Sequence, residues 1–524
     1  MQIAEIPYIQ TSFLPKLVKD YLENKLPIEW GSTYPDWKDF EKKIEQRKSF
    51  THRELLVQMI NKQYHSFVLH KKVKHNIKSL QENTTFTITT GHQLCLFLGP
   101  LYVVYKILHC IKLANELNKK YKSYHFVPVF WMASEDHDTQ EINHVFVKGE
   151  MIKWNVSESI PAGKLSTEGI EVAIEQLRKS LGLQQHSETI ISLFKEAYSN
   201  YKNLAQATRY LINELLGSYG IVVIDGDEIE FKKILKPIFK KEINEQCIEK
   251  NVQKAIQHML PHSYKIQANP RNCNIFWLHE NQRIRIEKVE DKFYLSGTNQ
   301  AFTKEEILNR IDETPEKFSP NVLMRPLYQE TVLPNLVNVG GAAETAYWLE
   351  LTEVFKELNI PFPLLFLRAS VILTDEKIMQ KIKKTELKVE DFFSEESGPE
   401  RRYLQKNNLV FKTENPLLTA FLEELQQNIV HIDASLETSA KATAQKIKNE
   451  LEQLEKKVQR AIKLKNEVQL EQIKKCKEKF FPQNKMQERT VNFSEYFVNT
   501  PHFIDCIYEA IDVSGKNIAV LKCL

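Results

Sequence analysis

Four consecutive residues, Glu135-Asp136-His137-Asp138, form the densest set of groups capable of chemistry in the chain. Three carboxylates and an imidazole this close together repel one another unless a cation, a proton or a ligand compensates them. The cluster could act as a general base, bind a substrate ammonium group, or coordinate Mg²⁺ beside nucleotide phosphates. The alternative is a solvated acidic turn that caps a helix.

Asn143 and His144 follow at a distance that allows them to return to the same crevice, so we expect substrate contacts from both. A transition-metal site built from His137, Asp138 and His144 is conceivable. The HExxH spacing that would support it is absent from the sequence, and we expect no resident metal.

A second polar group, Gly91-His92-Gln93, lies between a predicted strand and a predicted helix. Exposed backbone N–H groups and the positive end of a helix suit a phosphate or a carboxylate. His92 and Gln93 could add donors to the same oxygens. The spacing matches neither GxxxxGK[ST] nor GxGxxG, so a plain strand-to-helix turn is the alternative.

A third group begins at Arg325, which could hold a carboxylate or phosphate through two hydrogen bonds. Gly340-Gly341 precedes a predicted helix that carries Glu344, again a start that suits an anion. Tyr347-Trp348 is more typical of core packing than of ligand stacking. Arg368 ends an apolar stretch and needs a partner, for which Glu344 or a ligand would serve.

The elements around the first two groups predict a common site. Residues 85–90 are β-branched and short, residues 101–111 carry apolar side chains at helical spacing, and residues 125–133 form a nearly continuous apolar run. A strand–helix–strand unit places both strands parallel. Because the carboxyl ends of parallel strands open on one edge of the sheet, we expect both polar groups to face one crevice there.

Further strands are predicted at 221–225 and 364–374, and a hairpin from 283–286 and 292–295. Residues 1–80 are predicted to be mostly helical. The prediction is an α/β protein with a parallel-sheet core over 1–390, into which mixed subdomains are inserted at about 150–220 and 230–330.

From 417 to 481 the sequence contains neither glycine nor proline. Apolar residues alternate by four and three, in the order Ala440, Ala444, Ile447, Leu451, Leu454, Val458 and Ala461. This heptad pattern predicts a linker and long helical coiled-coil arm over 391–482, usually a means of dimerisation, before 483–524 returns to the core. A helix packed on its own core is the alternative.

The composition excludes several classes of protein. With 71 basic and 68 acidic residues the net charge is +3, which gives no general case for a nucleic-acid partner. We find neither a signal peptide nor an apolar run of membrane-spanning length. The seven cysteines are scattered without a CxxC pair, so we expect reduced thiols and a cytoplasmic location.

Several long motifs, in order, resemble the bacillithiol biosynthesis cysteine-adding enzymes. They are TTGHQLCLFLGPLYVVYK (89–106), VPVFWMASEDHDTQEINHV (127–145), RPLYQETVLPNLVNVGGAAETAYW (325–348) and QERTVNFSEYFV (487–498). Two departures are visible: His92 stands where the family usually has glutamine, and Gly341-Ala342-Ala343 where it tends toward Gly-Pro-Gly. The first keeps a polar donor, whereas the second could narrow a ligand loop.

The resemblance implies a Rossmann-like core, a coiled-coil arm that forms a homodimer, and a ligase that joins cysteine to glucosaminyl-malate by an amide. Because a free carboxylate needs activation, ATP with Mg²⁺ is the expected co-substrate, and no prosthetic group is expected.

In the resulting hypothesis Gly91, His92 and Gln93 hold phosphates or the activated carboxylate. Glu135 lies with Asp136, His137 and Asp138, which bind an amine and act as base, and Arg325 and Glu344 complete the pocket. The rivals are an ATP-dependent synthetase-like ligase or nucleotidyl transferase for another amino acid, and a coiled-coil scaffold whose α/β part only binds a metabolite.

Overall fold

The computed structural model describes residues 1–522 except 28–29, 31, 157–159, 281, 395–397, 414 and 501. The chain divides into two compact units. The first contains Met1–Leu373 and the chain from Pro482 onward, and the second contains Thr374–Phe481.

The strands are numbered in chain order. They are β1 Gln2–Pro7, β2 Thr85–His92, β3 His125–Met132, β4 His144–Val147, β5 Glu150–Lys153, β6 Val222–Asp225, β7 Ile275–His279, β8 Gln282–Val289, β9 Lys292–Leu295, β10 Ala301–Thr303, β11 Phe318–Pro320, β12 Asn335–Gly340, β13 Leu364–Leu367, β14 Ser370–Thr374 and β15 Asn517–Lys522.

The α-helices are numbered likewise. They are α1 Lys16–Leu22, α2 Asp39–Arg47, α3 Arg53–Gln63, α4 Lys71–Ser79, α5 Leu101–Lys120, α6 Thr139–Ile142, α7 Glu171–Leu181, α8 Ser187–Asn200, α9 Leu204–Leu216, α10 Ile229–Glu245, α11 Cys247–Met259, α12 Lys304–Glu313, α13 Arg325–Val332, α14 Ala342–Leu349, α15 Thr352–Glu357, α16 Glu376–Lys384, α17 Pro399–Lys406, α18 Pro416–Ile432, α19 Glu437–Lys465, α20 Glu467–Phe480, α21 Ser494–Phe497 and α22 Phe503–Ala510.

The core of the first unit is a parallel sheet of order β13-β12-β2-β3-β6. The chain builds outward from β2 in one direction through β3 and β6, then returns to add β12 and β13 on the other side. The order therefore reverses between β2 and β12, and such a switch point is where open α/β sheets bind ligands. The predicted α/β class and parallel strand–helix–strand unit are confirmed.

Threonines suit the buried strand β2 because their branched side chains fit a pleated surface and their hydroxyls find partners. The hydroxyls of Thr87 and Thr89 both donate to Asn335 Oδ1 of β12, at 3.1 and 2.7 Å. Apolar positions of α5 cover the sheet, including Val104, Leu108 and Ile111, all of which are buried. This packing fixes where each strand ends and thus where the site begins.

Three predictions about strands need correction. The first strand does not stop before Gly91 but continues through His92. The apolar stretch at 364–374 is two strands in different sheets, because the chain turns at Arg368-Ala369 and β14 joins β1 and β15. Residues 1–80 contain the helices α1 to α4, but the prediction of a mostly helical segment left out β1, which opens the chain and pairs with the last strand, β15.

The inserted region at 230–330 contributes an antiparallel sheet of order β10-β9-β8-β7-β11. The predicted hairpin is confirmed, because β8 and β9 pair from Ile286–Leu295 to Val289–Lys292. Glu290, in the turn between them, has a positive φ of 53°. The side of this sheet that carries Arg283 and Phe276 faces the site.

The second unit is entirely helical within its described residues, and its longest helices, α18 and α19, pack against each other. The predicted arm is therefore present as a helical hairpin. Its apolar residues are unevenly covered: Ala440 and Ala444 are buried, whereas Leu454 is 48% exposed and Leu464 is 73% exposed.

No helix among the described residues is long and apolar enough to span a membrane. The described cysteines are free thiols: Cys95, Cys110, Cys247, Cys273, Cys476 and Cys506. Cys523 lies outside the described residues.

Candidate active site

A cleft of about 700 Å³ opens at the carboxyl edge of the parallel sheet. Gly91 and His92 line it from the end of β2, and Trp131 and Met132 from the end of β3. Helices α13 and α14 and the inserted sheet form its other sides. The cleft therefore lies at the switch point, and it brings together Gly91, His92, Gln93, Glu135, Asp136, Arg325 and Glu344 as the sequence predicted.

One side of the cleft, which we call the cationic floor, consists of Lys106, Arg325 and Glu344. Lys106 Nζ is 2.6 Å from Glu344 Oε2 and also donates to the Gly91 carbonyl at 2.6 Å. Arg325 Nη2 lies 3.6 Å from Glu344 Oε1 and donates to Tyr347 Oη at 3.2 Å. Two cations share one carboxylate, so the floor carries a net positive charge.

Burial and ion pairing have opposite effects on the pKa values of the floor residues. Burial alone would raise the pKa of Glu344, but Lys106 and Arg325 outweigh it and hold that pKa below its usual value. Burial lowers the pKa of Lys106, and the attraction of Glu344 offsets this only in part. The side chains of Lys106 and Glu344 are only 4% and 14% exposed, so their attraction is little screened by water.

A second part of the cleft lining, the acidic wall, consists of Gln93, Glu135, Asp136 and Glu141. Gln93 Nε2 donates to Asp136 Oδ2 at 2.8 Å and to Glu141 Oε2 at 2.9 Å. A single neutral amide thus bridges two carboxylates that have no salt bridge to a lysine or arginine within the described residues. The wall can attract a cationic group of a ligand.

Glu135 is held from behind by Lys232, a fully buried lysine of α10. Lys232 Nζ lies 2.6 Å from Glu135 Oε1 and 2.7 Å from Asp227 Oδ1. Burial nevertheless raises the pKa of Glu135, and Lys232 offsets only part of that effect. The lysine fixes Glu135 in place without making it a strong acid.

The second half of the acidic cluster does not line the cleft. Asp138 is exposed and caps α6, accepting from the Glu141 N–H at 3.4 Å. His137 donates its backbone N–H to Asp136 Oδ1 at 2.8 Å, and its ring lies 3.4 Å from Arg283. Burial, followed by Arg283, lowers the pKa of His137. Both residues therefore contact the site through Asp136 and Arg283.

His92 has both ring nitrogens engaged. Nδ1 lies 3.0 Å from the Gln93 carbonyl and Nε2 lies 2.7 Å from Tyr102 Oη. A carbonyl only accepts, so Nδ1 carries the proton and Nε2 accepts from the tyrosine. Burial, reinforced by Lys106, lowers the pKa of His92 to about 4, so the ring is neutral near pH 7.

Gly91 and Gly340 act through close approach, whereas Gly341 caps the N-terminus of α14. A Cβ on Gly91 would lie 3.2 Å from the Trp131 carbonyl and 3.4 Å from Arg325 Nη1. Helix α5 begins at Leu101 as predicted, but Leu101 does not line the cleft and its N–H donates to the Val491 carbonyl at 2.8 Å, so the structure does not bring the expected anion site at this helix start into the cleft. Gly340 ends β12 and Gly341 precedes α14, and both stand outside the cleft lining, where a Cβ on Gly340 would crowd Glu344 at 3.1 Å.

Three further expectations concern residues outside the cleft. Asn143 and His144 do not return to it, because the chain turns there into the separate hairpin of β4 and β5. Arg368 pairs with Glu488 at 2.5 Å and not with Glu344, which is already bound to Lys106. Trp348 is buried in the core as predicted, whereas Tyr347 lines the cleft.

Four basic residues of the cleft were not predicted to line it: Lys106 of α5, and Arg271, Arg283 and Arg285 of the inserted region. A signal existed for Lys106, since a lysine stands among buried positions of an otherwise apolar helix. Arg283 and Arg285 alternate along β8, which places them on one face of the strand. Among the described residues, no group of three or more His, Cys, Asp or Glu side chains could hold a metal ion.

Comparison with known proteins covers nearly the whole chain. Residues 1–369 match the family model of the bacillithiol biosynthesis BshC N-terminal Rossmann-like domain, and residues 371–523 match that of the BshC C-terminal coiled-coil domain. A Flavobacterium johnsoniae protein named "Putative cysteine ligase BshC" is 39% identical over 94% of both chains. Proteins of the same name from Flavobacterium psychrophilum and Bacillus cereus are 37% and 28% identical over 99% of both chains. A Rossmann-like domain followed by a coiled-coil domain, at this identity and coverage, shows that the chain belongs to the BshC family of bacillithiol biosynthesis.

Proposed function

We propose that this chain is a cysteine ligase that joins L-cysteine, through an amide, to the amino group of glucosaminyl-malate in the last step of bacillithiol synthesis. The observation that carries the proposal is the similarity, over 94% of both chains or more, to relatives named "Putative cysteine ligase BshC". The cleft supports it, because groups of opposite charge line a single ligand-sized space.

Amide formation needs both sides of the cleft. The new bond joins the carboxyl carbon of cysteine to the amino nitrogen of the sugar, and a carboxyl oxygen departs with the group that activates it. The nitrogen enters as an ammonium group and loses two protons, one before it attacks and one as the amide forms. Asp136 is our candidate for the base that takes a proton from this nitrogen, with Glu135 beside it to attract the ammonium group. Arg325 and Lys106 would receive an anionic group of a substrate.

We also propose ATP with Mg²⁺ as co-substrate, because a free carboxylate in water does not form an amide unaided. ATP, when bound, supplies the phosphate-containing group that leaves together with the carboxyl oxygen of cysteine. The cations of the inserted region fit its phosphates: Arg283 is half-buried against Phe276, with its guanidinium 4.1 Å from the ring centre, and Arg271 and Arg285 line the same side.

The test is product formation by the purified full-length protein with glucosaminyl-malate, ATP, Mg²⁺ and a panel of amino acids. We expect mass spectrometry to show the cysteine amide in preference to all others. In cells, changing Asp136 and His137 together to alanine should abolish bacillithiol without loss of the protein. Preference for another amino acid, or normal thiol levels in that variant, would refute the proposal.

We propose, finally, that the protein is a homodimer formed through its helical arm. Leu454, Leu464 and Val468 of the second unit are 48%, 73% and 66% exposed, which is unfavourable for an arm in water without a partner. Light scattering after size exclusion should give twice the chain mass of 61.4 kDa. Replacing Leu464 and Val468 by lysine should give the single-chain mass, and a monomeric wild type would refute the dimer.

A further inference from the structure

Two buried amide side chains connect the charged groups of the cationic floor to the interior. Gln329, on α13, accepts from Arg325 Nη1 at 3.0 Å through its Oε1 atom. Its Nε2 atom donates to Glu330 Oε1 at 3.0 Å and to Asn338 Oδ1 at 3.2 Å. Asn338, on β12, in turn donates to Glu344 Oε1 at 3.3 Å. Arg325 and Glu344 are therefore each hydrogen-bonded to one of two amides, and these two amides are hydrogen-bonded to each other.

The orientation of both amides is dictated by their partners. Arginine only donates and an ionised carboxylate only accepts, so Gln329 must turn its oxygen to Arg325 and Asn338 must turn its nitrogen to Glu344. Gln329 and Asn338 are 0% and 1% exposed, so no water competes for these bonds. The amides have one arrangement that satisfies every neighbour.

The inner end of this chain of bonds is fixed as well. Arg47 pairs with Glu330, and both side chains are buried. Asn335 donates to the same carboxylate, with its Nδ2 atom 2.6 Å from Glu330 Oε1. Since Asn335 also receives the threonine hydroxyls of β2, the bonds reach from the sheet to the cleft without a gap.

We propose that Gln329 and Asn338 are positioning residues of the active site, which set the Arg325 guanidinium and the Glu344 carboxylate for an anionic substrate group. Neither amide lines the cleft, so each acts through its charged neighbour. Without Gln329, Arg325 keeps Tyr347 at 3.2 Å and Glu344 at 3.6 Å and is drawn toward them. A displacement of about 1 Å can cost on the order of 100-fold in rate.

The test compares Gln329→Met with Gln487→Met. Gln487 is also 0% exposed, and it hydrogen-bonds the backbone of Leu373 at 2.8 and 2.9 Å, away from the cleft. We expect Gln329→Met to lower kcat/KM about 10- to 100-fold. We expect the control to change it less than about threefold while losing comparable thermal stability. Equal kcat/KM losses in the two variants would overturn the proposal.

Conservative variants separate positioning from general damage. In Gln329→Glu the new carboxyl lies beside Glu330 and retains a proton there, so it keeps the acceptor for Arg325 and one of the two donor bonds of the amide. It should recover at least about tenfold of the kcat/KM that Gln329→Met loses. If that variant does not fold, Asn338→Asp compared with Asn338→Leu poses the same question at the second amide. No recovery in the folded conservative variant would overturn the proposal.

The positioning role rests on the proposed ligase function, but crystal structures can test it separately from that function. If the wild-type enzyme forms no cysteine amide, the proposed function fails whatever the variants do. Crystal structures of wild type and Gln329→Met then decide the positioning role alone. A shift of the Arg325 guanidinium of about 1 Å or more supports it, and an unmoved guanidinium overturns it.

Discussion

The cationic floor and the acidic wall line one cleft, but they are built in opposite ways. On the floor, Lys106, Arg325 and Glu344 all bond to protein groups, and buried amides stand behind them. On the wall, the carboxylates of Asp136 and Glu141 share the amide of Gln93 and are partly or fully exposed. The floor is thus arranged by the fold, whereas Asp136 and Glu141 depend on a ligand for compensating charge.

Substitutions in the two places should therefore differ in effect. A change on the floor disturbs buried partners, so we expect losses of stability together with activity. A change at Asp136 or Glu141 removes a carboxylate that the fold does not need, so we expect loss of activity alone.

The largest effect is expected from Asp136→Asn on the wall. Losing the candidate base should lower kcat about 100- to 10,000-fold, while the melting temperature stays close to that of wild type. Asp138→Asn is the matched control, since asparagine caps a helix about as well as aspartate and should change kcat less than about threefold. Steady-state kinetics and thermal unfolding check both variants. A substantially active Asp136→Asn enzyme would remove Asp136 from the mechanism.

Lys106→Met should destabilise the protein by up to about 3 kcal/mol, because Glu344 loses its 2.6 Å partner and keeps Arg325 only at 3.6 Å. Glu344→Gln should destabilise the Lys106→Met variant less than it destabilises the wild type, since the bond to Lys106 is already gone. Chemical denaturation of the single and double variants measures the coupling. If Lys106→Met stays within about 1 kcal/mol of wild type, the floor is not built as its distances indicate.

The sequence was sufficient to predict four of the five strands of the parallel sheet and the position of the cleft, but not β12. Apolar runs and β-branched residues predicted β2 and β3, and parallel pairing then placed Gly91 and Asp136 at one edge. The ion pair of the floor could not be predicted from the sequence, because Lys106 and Glu344 are 238 residues apart and nothing local links them. The break within 364–374 was missed for the same reason, since Arg368 turns toward Glu488, 120 residues away, without a glycine or proline to mark it.

The prediction that residues 135–138 form one site holds for only part of that segment. Glu135 and Asp136 line the cleft, while His137 and Asp138 turn away as α6 begins. The two alternatives predicted from the sequence were a helix-capping turn and a ligand-binding cluster. The contacts support the ligand-binding cluster for the first two residues and the turn for the last two. The catalytic roles themselves stay predictions.

Glu350, six residues after Glu344, is a buried carboxylate that has no salt bridge to a lysine or arginine in the part of the chain that the structure describes. It is fully buried and accepts from the backbone N–H groups of Gln267 and Ala268 at 2.6 and 3.1 Å. Burial raises its pKa from 4.5 to about 7, and the two N–H groups offset this only in part. These bonds hold the segment that leads to Asn269 and Arg271 in the cleft.

The sign of the resulting pH dependence follows. Between about pH 4.5 and 7 the folded state binds a proton at Glu350 that the unfolded state has released, so stability falls as pH rises through this window. The loss amounts to at most about 3 kcal/mol. Glu350→Gln cannot titrate, and the difference in unfolding free energy between pH 5 and pH 8 should shrink by up to that amount. Glu353→Gln, at a partly exposed glutamate paired with Lys356, should leave the wild-type difference intact.

The smallest effect is expected from His92→Gln, which tests whether His92 positions the acidic wall or takes part in the chemistry. The His92 ring is neutral, with one nitrogen donating to Gln93 and the other accepting from Tyr102, so its contacts favour a positioning role over the catalytic role expected from sequence. A glutamine offers the same donor and acceptor, and kcat should change less than about threefold. His92→Leu offers neither and should lower kcat about tenfold or more, because Gln93 then no longer fixes Asp136. If His92→Gln instead loses about 100-fold or more, the imidazole transfers a proton and belongs with Asp136 in the chemistry.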